Sequence, residues 1–438
     1  MSNIESNEQR SQNAFESIKK ALLVGVHYSG REIDECREHL AELADLSKTL
    51  GIKDTREIYC PIKKVTAATY IGSGKVEELA EIVKNEQIDV IIFDHSITPS
   101  QQKNIEEVTN VPVIDRTEVI LEIFSQHAKT REAKLQIEMV KIRHQLPRLK
   151  HMWTNLSRQR GSGGSSGSGG FLRGSGETQF ETEKRLLKQQ LAGIELEVKQ
   201  IVEHREQKRK GRIKSQIPTI AIVGYTNSGK STLLNALTGA EVLVEDKLFA
   251  TLDTTARAYQ LPNRTKIVLV DTVGFIRKLP HALIKAFRST LEEVCYTDVL
   301  IHLLDCSKKG AMERYEATMA VLEELGVKDK PMITVLNKTD LVENKERLRK
   351  FKVLYNNVVE VSALKHEGFD ELLSAIEREA SKFAKTVNLR IPQSNYKLID
   401  EITREGNVLH TDYEENDVLL QVEIPDYLEK KISEFIVF

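Results

Sequence analysis

The segment Gly224-Tyr225-Thr226-Asn227-Ser228-Gly229-Lys230-Ser231 constrains this chain more than any other, because the spacing G-x4-G-K-S has one widely used structural solution. It lies between an apolar run, IPTIAIV, and a helix-forming run, TLLNAL. Strand, glycine loop and helix in that order turn backbone N–H groups inward around an anion. Lys230 then places a cation on phosphate oxygens, and Ser231 offers a hydroxyl to Mg²⁺. Gly72-Ser73-Gly74-Lys75 is a decoy: Thr69 stands where the first glycine is required, and Val76 where the hydroxyl residue is required. It reads as a turn ahead of a helix.

Three further segments follow at the ends of apolar runs. Asp271-Thr272-Val273-Gly274, after KIVLV, places a carboxylate near Mg²⁺ and a glycine N–H near the terminal phosphate. Asn337-Lys338-Thr339-Asp340, after PMITVL, supplies what guanine needs. Asp340 accepts from N1–H and the exocyclic amine, Asn337 meets the opposite edge, and the Lys338 stem covers the base. Adenine would leave Asp340 without matching donors, a mismatch that discriminates strongly. Ser362-Ala363-Leu364, after VVEV, closes the pocket with backbone N–H groups. In LFATLDTTAR, any of Thr251, Thr254 and Thr255 can complete the Mg²⁺ shell, and spacing does not choose among them.

A chain of 438 residues is too long for one core, and about 150 residues per domain implies roughly three units. Residues 1–16 are polar and read as a disordered tail without an export signal. Over 17–118, ALLVGV, IYCPI, DVIIFD and VPVID alternate with helical patterns at 31–50, 75–86 and 99–108, the mark of a small α/β domain with a parallel sheet. Residues 215–385 repeat that alternation as a Ras-like G domain. Strands are expected near 217–223, 266–271, 299–304, 331–337 and 358–361. Residues 386–438 read as a small further α/β unit, with helices at 393–405 and 426–436 and strands at 407–411 and 417–423. No apolar run approaches the roughly 18 residues of a membrane helix. Four scattered cysteines without CxxC spacing fit a reducing, cytoplasmic setting.

Residues 119–214 form the remaining unit. Apolar residues at Leu121, Phe124, Ala128, Leu135, Ile142, Leu146, Leu149, Trp153 and Leu156 make one heptad seam. Phe180, Leu187, Leu191, Ile194, Val198 and Ile201 make a second, so an antiparallel coiled-coil arm is expected, kinked near Arg143 to Pro147. The Gly/Ser-rich stretch at 161–177 is its mobile tip; its composition also fits an inserted linker, the less favoured reading. Met152 and Trp153 belong to the seam, and His144 and His151 are expected to be solvated or to face phosphate. Residues 129–214 carry 20 Lys and Arg against 9 Asp and Glu, a surplus of +11 that leaves −13 elsewhere, although the whole chain sums to −2. A solvated helical face explains such a surplus, but basic helices ending in a glycine tip fit an RNA-directed arm better.

The four nucleotide motifs in this order resemble the translation-factor class of P-loop GTPases. GYTNSGKSTLLNALT, LFATLD, DTVGFIRKLPHALIKAF, RGSGETQFETEKRLL and the basic helix with HQLPRL resemble, more narrowly, the HflX family of ribosome-associated GTPases, over roughly residues 20–385. The resemblance implies Mg²⁺-dependent hydrolysis of GTP to GDP and binding to the large ribosomal subunit, near rRNA of the peptidyl-transferase region. It further implies splitting or rescue of stalled ribosomes by a chain that is monomeric off the ribosome. It selects Thr251, within Phe249-Ala250-Thr251-Leu252-Asp253, as the second Mg²⁺ ligand beside Ser231, and Lys230, Thr251 and Gly274 as the catalytic group. This chain has Asp253-Thr254-Thr255 where the family has Asp-Pro-Thr, and Arg173-Gly174-Ser175-Gly176-Glu177 where it has Arg-Gly-Pro-Gly-Glu. Phe275 follows Gly274 where many GTPases carry a water-orienting glutamine, so slow intrinsic hydrolysis stimulated by the ribosome is expected. Asn227 matches loops that bind K⁺ beside the phosphates, with a loop-stabilising asparagine as the alternative. A GTP-gated assembly or hibernation factor that leaves subunits joined is the second functional reading.

Overall fold

The computed structural model describes residues 18–28, 30–161, 173–215, 217–239, 248–249, 255–278, 293–308, 310–343, 346–383, 385–424 and 431–437, with side chains at 149–180 and 205–215 outside the description. These residues fall into two compact units that divide within one long helix, between Val198 and Lys199.

In the first unit, β1 (Lys20–His27), β2 (Asp54–Pro61), β3 (Val90–Phe93) and β4 (Val113–Asp115) form a parallel sheet in the order β2-β1-β3-β4. Helices α1 (Ile33–Thr49), α2 (Ser73–Glu86) and α3 (Pro99–Thr109) make the crossovers. The run ALLVGV is buried throughout because a central parallel strand is covered on both faces. Helix α3 starts where Thr98 and Gln101 form a reciprocal capping box and Pro99 takes the first position. The decoy is a helix start, as its sequence implies: Gly72 caps α2, and Lys75 pairs with Glu78 at 2.7 Å.

The first heptad seam belongs to two helices. Leu121 and Phe124 lie buried on α4 (Arg116–His127), which Asp115 and Glu118 cap; Ala128 is extended, and α5 (Arg131–Gly161) begins afresh. The helical period carries across the break, so spacing alone cannot reveal it. Pro147 stands inside α5, whose helical run continues on both sides of it. On α6 (Arg173–Ser215), of the residues expected in the seam, Ile194 is buried and Leu187, Leu191, Val198 and Ile201 are half-buried, while Leu186 and Leu196 are exposed; the side chain of Phe180 lies outside the description. Ion pairs Arg143–Glu195, at 2.7 Å, and Arg131–Glu197 join α5 to α6. His144 is not solvated: it is half-buried near Asp115, and Arg148 pairs with Asp115 and Glu118. Burial pushes the Asp115 carboxyl up, and His144 and Arg148 pull it back. His151, Met152 and Trp153 lie among the side chains outside the description.

The second unit contains a six-stranded sheet of β5 (Thr219–Gly224), β6 (Thr255–Gln260), β7 (Lys266–Asp271), β8 (Val299–Asp305), β9 (Met332–Asn337) and β10 (Val358–Glu360), in the order β10-β9-β8-β5-β7-β6. All neighbours are parallel except β6 against β7. Strand β6 was not expected, because TARAYQ is a largely exposed edge without an apolar run. Helices α7 (Lys230–Thr238) and α10 (Phe369–Ser381) cover one face around Ile222, Leu234, Ile301 and Ile376. Helices α8 (Ala311–Glu324) and α9 (Glu346–Leu354) cover the other around Leu304, Tyr315 and Phe351.

The C-terminal α/β element is an antiparallel sheet, β12-β13-β11-β14, with one packed helix, α11 (Tyr396–Glu405). Its strands are β11 (Lys385–Pro392), β12 (Asn407–Glu414), β13 (Asp417–Ile424) and β14 (Ile436–Val437). The sequence reading omits β11, whose apolar residues Val387, Leu389 and Ile391 alternate instead of forming a run. The helix expected at 426–436 is replaced at its end by a 3₁₀ turn (Ser433–Phe435) and β14, which pairs with Asn388 and Leu389; residues 425–430 lie outside the described residues.

Candidate nucleotide-binding site

The carboxyl ends of β5, β7, β8, β9 and β10 meet at one edge of the six-stranded sheet, where loops of a parallel α/β fold form binding crevices. The four expected motifs leave these strands and converge there. Gly224 has φ 154°, and a Cβ on it would lie 2.2 Å from the Leu303 carbonyl oxygen. Gly229 has φ 95°, and a Cβ there would lie 2.4 Å from the Asn337 amide nitrogen. Only glycine fits either position.

Lys230 opens α7 and is buried, with Nζ donating to the Tyr225 carbonyl at 2.9 Å and the Gly224 carbonyl at 3.3 Å. Burial pushes its pKa down to about 8, against the opposing charge of Asp271. The Ser231 hydroxyl donates to Asp271 Oδ2 at 2.6 Å, and Thr272 Oγ1 donates to the Ile222 carbonyl at 2.7 Å. Thr226 N–H donates to the Phe275 carbonyl at 2.7 Å, and Phe275 N–H to the Gly224 carbonyl at 3.0 Å, so the D-x-x-G segment is laced to the loop. Gly274 sits so close that a Cβ would come within 2.8 Å of Thr226 Cα and 2.9 Å of Lys230 Nζ. The hydroxyl oxygens of Thr226 and Ser228 are buried without a hydrogen-bond partner among the described residues.

The N-K-x-D and S-A-L segments are tied to the same loop. Asn337, expected to meet the far edge of the base, is 2% exposed, and its amide is engaged with remote backbone. Its Nδ2 donates to the Ser228 carbonyl at 2.7 Å, and its Oδ1 accepts from Ala363 N–H at 3.0 Å, so that N–H is also engaged. Lys338, at φ 61°, donates through Nζ to the Asn227 carbonyl at 2.9 Å, with Asn227 itself at φ 56°. Ser362 Oγ donates to Asp340 Oδ1 at 2.8 Å and orients the carboxylate. Thr339 holds the Val361 carbonyl through its hydroxyl at 3.0 Å, and Leu364 stands exposed at the rim.

Leu248 and Phe249 are buried, Phe249 with φ 59°, while Ala250, Thr251, Leu252, Asp253 and Thr254 lie outside the described residues. Thr255 begins β6 opposite Asp271.

Four residues escape the motif reading. Asp305 ends β8 and pairs with Lys338 Nζ at 3.0 Å. Arg277 N–H donates to the Tyr225 hydroxyl at 2.6 Å, and the Arg314 guanidinium lies 5.5 Å from the Tyr225 ring centroid. His302 of β8 is fully buried, with neither ring nitrogen partnered among the described residues. Burial, then the Lys230 charge, push its pKa down to about 3. A carboxylate closing an apolar parallel strand was the available signal for Asp305; the others had none.

A Ras-like sheet with a phosphate loop, a D-x-x-G segment and an N-K-x-D segment at its carboxyl edge defines a P-loop GTPase. Comparison carries this further. Three family models match in succession: GTP-binding GTPase N-terminal over residues 37–125, GTP-binding GTPase Middle Region over 127–212, and 50S ribosome-binding GTPase over 219–338. The chain is 41% identical over 418 residues to a GTPase HflX of Chlamydia pneumoniae, covering 95% of this chain and 88% of that relative. It is 40% identical over 419 residues to a GTPase HflX of Caldanaerobacter subterraneus subsp. tengcongensis, covering 96% and 94%. A solved GTP-binding protein of Sulfolobus solfataricus in complex with GDP is 27% identical, over 84% of this chain and 100% of that one, with a TM-score of 0.44. The chain belongs to the HflX family of GTPases. Among the described residues, no helix is long and apolar enough to cross a membrane.

Proposed function

We propose that this chain is a Mg²⁺-dependent GTPase of the cytoplasm that binds the large ribosomal subunit and splits or rescues stalled ribosomes. The observation that carries the nucleotide half is the lacing of one phosphate loop to both the D-x-x-G and N-K-x-D segments. Lys230 and the loop N–H groups take the phosphates, and Asp340, held by Ser362, reads guanine. Ser231 and Asp271 are hard oxygen donors already brought to 2.6 Å, a set that fits Mg²⁺. Ser231 would ligate the ion directly, Thr251 would join it, and the bound ion would neutralise phosphate charge.

Phe275 is 2% exposed and apolar, so nothing at that position orients water by hydrogen bonding. Intrinsic hydrolysis is therefore slow, and the ribosome supplies the missing order. A K⁺ ion beside Asn227 is a second source of charge; equal rates in KCl and NaCl would remove it from the reading.

The ribosomal half rests on the +11 surplus over 129–214, on the helices α5 and α6 that carry it, and on the ribosome named by the matching family description. Sedimentation of ribosomes with the protein and GTP, a nonhydrolysable analogue or GDP tests it. Separated subunits with GTP or the analogue, but not with GDP, are expected. Bound but intact particles would favour the assembly or hibernation role instead.

A further inference from the structure

Asp305 lies at the carboxyl end of β8, directly in register with Asn337 of β9. Its side chain is 7% exposed, and its two oxygens have different partners. Oδ1 accepts from Ser307 N–H at 3.0 Å and from Ser307 Oγ at 2.5 Å, the usual pattern of a carboxylate that stabilises its own turn. Oδ2 takes no part in that turn. It faces the Lys338 ammonium at 3.0 Å, and the same ammonium donates to the Asn227 carbonyl at 2.9 Å.

The bridge joins two strained points. Lys338 and Asn227 are non-glycine residues at φ 61° and 56°, a conformation that carries an energetic penalty and persists only where surrounding contacts impose it. Lys338 is also the residue whose stem flanks the base, and Asn227 belongs to the phosphate loop. A charge at 305 therefore acts on both halves of the pocket through one lysine.

We propose that Asp305 is a positioning residue for guanine-nucleotide binding: it holds the Lys338 ammonium on the Asn227 carbonyl and so braces the base pocket against the phosphate loop. This rests on the nucleotide reading above and extends it to a residue outside the motifs. Both nucleotides share the base and the loop, so GTP and GDP depend on the brace equally, and the chemical step does not depend on it.

The test uses the full chain and labelled GDP and GTP. Asp305→Asn keeps an acceptor at Oδ1 for Ser307 and replaces Oδ2 with an amide that cannot pair with an ammonium. Its Kd for both nucleotides is expected to rise about tenfold, a loss typical of one charge-assisted hydrogen bond. Turnover at saturating GTP should stay within about twofold, and a melt without nucleotide should still show one cooperative transition, lowered by no more than a few degrees. Lys338→Met should weaken binding comparably, and D305N/K338M should be no weaker than K338M alone, because Asp305 acts through Lys338. Wild-type affinities in D305N, or losses that simply add in the double variant, would overturn the proposal while leaving the nucleotide reading intact. Failure of the wild-type chain to bind GDP in the same assay would overturn both.

Discussion

Replacing Lys230 with methionine should stabilise the fold while abolishing nucleotide binding. Burial lowers the Lys230 pKa from 10.5 to about 8. That difference corresponds to about 3 kcal/mol of disfavour for the charged form at neutral pH, since each pKa unit is about 1.4 kcal/mol. Methionine fills similar space without the charge. It also leaves the Gly224 and Tyr225 carbonyls without their Nζ donor, at about 1 kcal/mol each. The net gain is about 1 kcal/mol, or about 2–4 °C in Tm for a domain of this size. The sign follows from linkage. The folded pKa is depressed, so the penalty is complete below pH 8, where both states are protonated, and is relieved as pH rises from 8 to 10.5. The advantage of K230M should therefore shrink across that window. Scanning calorimetry of both proteins without nucleotide, at pH 7.5 and 9.5, reads both effects, and added GDP should raise Tm for the wild type only. A variant that melts below the wild type at pH 7.5, or a gap that does not change with pH, would refute the reasoning.

Three further outcomes follow from the same site. His302 is neutral when folded, with a pKa of about 3 against 6.5 unfolded, so its contribution is complete above pH 6.5 and declines as pH falls toward 3. Relative to His302→Leu, the wild type should lose about 2 kcal/mol between pH 6.5 and 5 in denaturant titrations; parallel curves would exclude a buried neutral imidazole. Asp340→Asn replaces an acceptor with a donor, so it should weaken GTP binding at least about 100-fold and favour xanthosine triphosphate, whose C2 carbonyl accepts; competition against labelled GDP measures the exchange, and unchanged preference would place the base elsewhere. Gly274→Ala drives a Cβ against Thr226 Cα, which cannot yield, so single-turnover hydrolysis should fall about 100-fold with GDP affinity nearly kept. Equal losses in both would mean that Gly274 serves the loop's shape alone.

The motifs were legible because their chemistry needs contiguous residues at fixed spacing: Gly229, Lys230 and Ser231 act from one turn, and Asn337, Lys338 and Asp340 from another. Most strands were legible because a parallel sheet covered on both faces demands unbroken apolar runs. His302 was not legible, because it acquires its surroundings only from register across β8, between Val223 and Thr334; Asp305 was marked only as a carboxylate closing an apolar strand, and its pairing opposite Asn337 needed the sheet. Asn337 shows the same limit at a residue already chosen, since Ser228 and Ala363 claim its amide from remote parts of the chain. Strands β6 and β11 were hidden by single alternating apolar residues, and the break between α4 and α5 by a helical period that continues across it.

The strand order of the G domain also describes a schedule. Chain synthesis releases β5 first, and it lies inside the finished sheet; the β6–β7 hairpin adds to one side, and β8, β9 and β10 then add outward in turn on the other. Only β6 waits, for the β7 that follows it directly; every later strand meets an edge that already exists. The phosphate loop is the earliest part of the pocket to emerge, and Ser362, which donates to the Asp340 carboxylate proposed to read guanine, is among the last. During its own translation the domain thus gains an anion cradle well before it gains a preference for guanine.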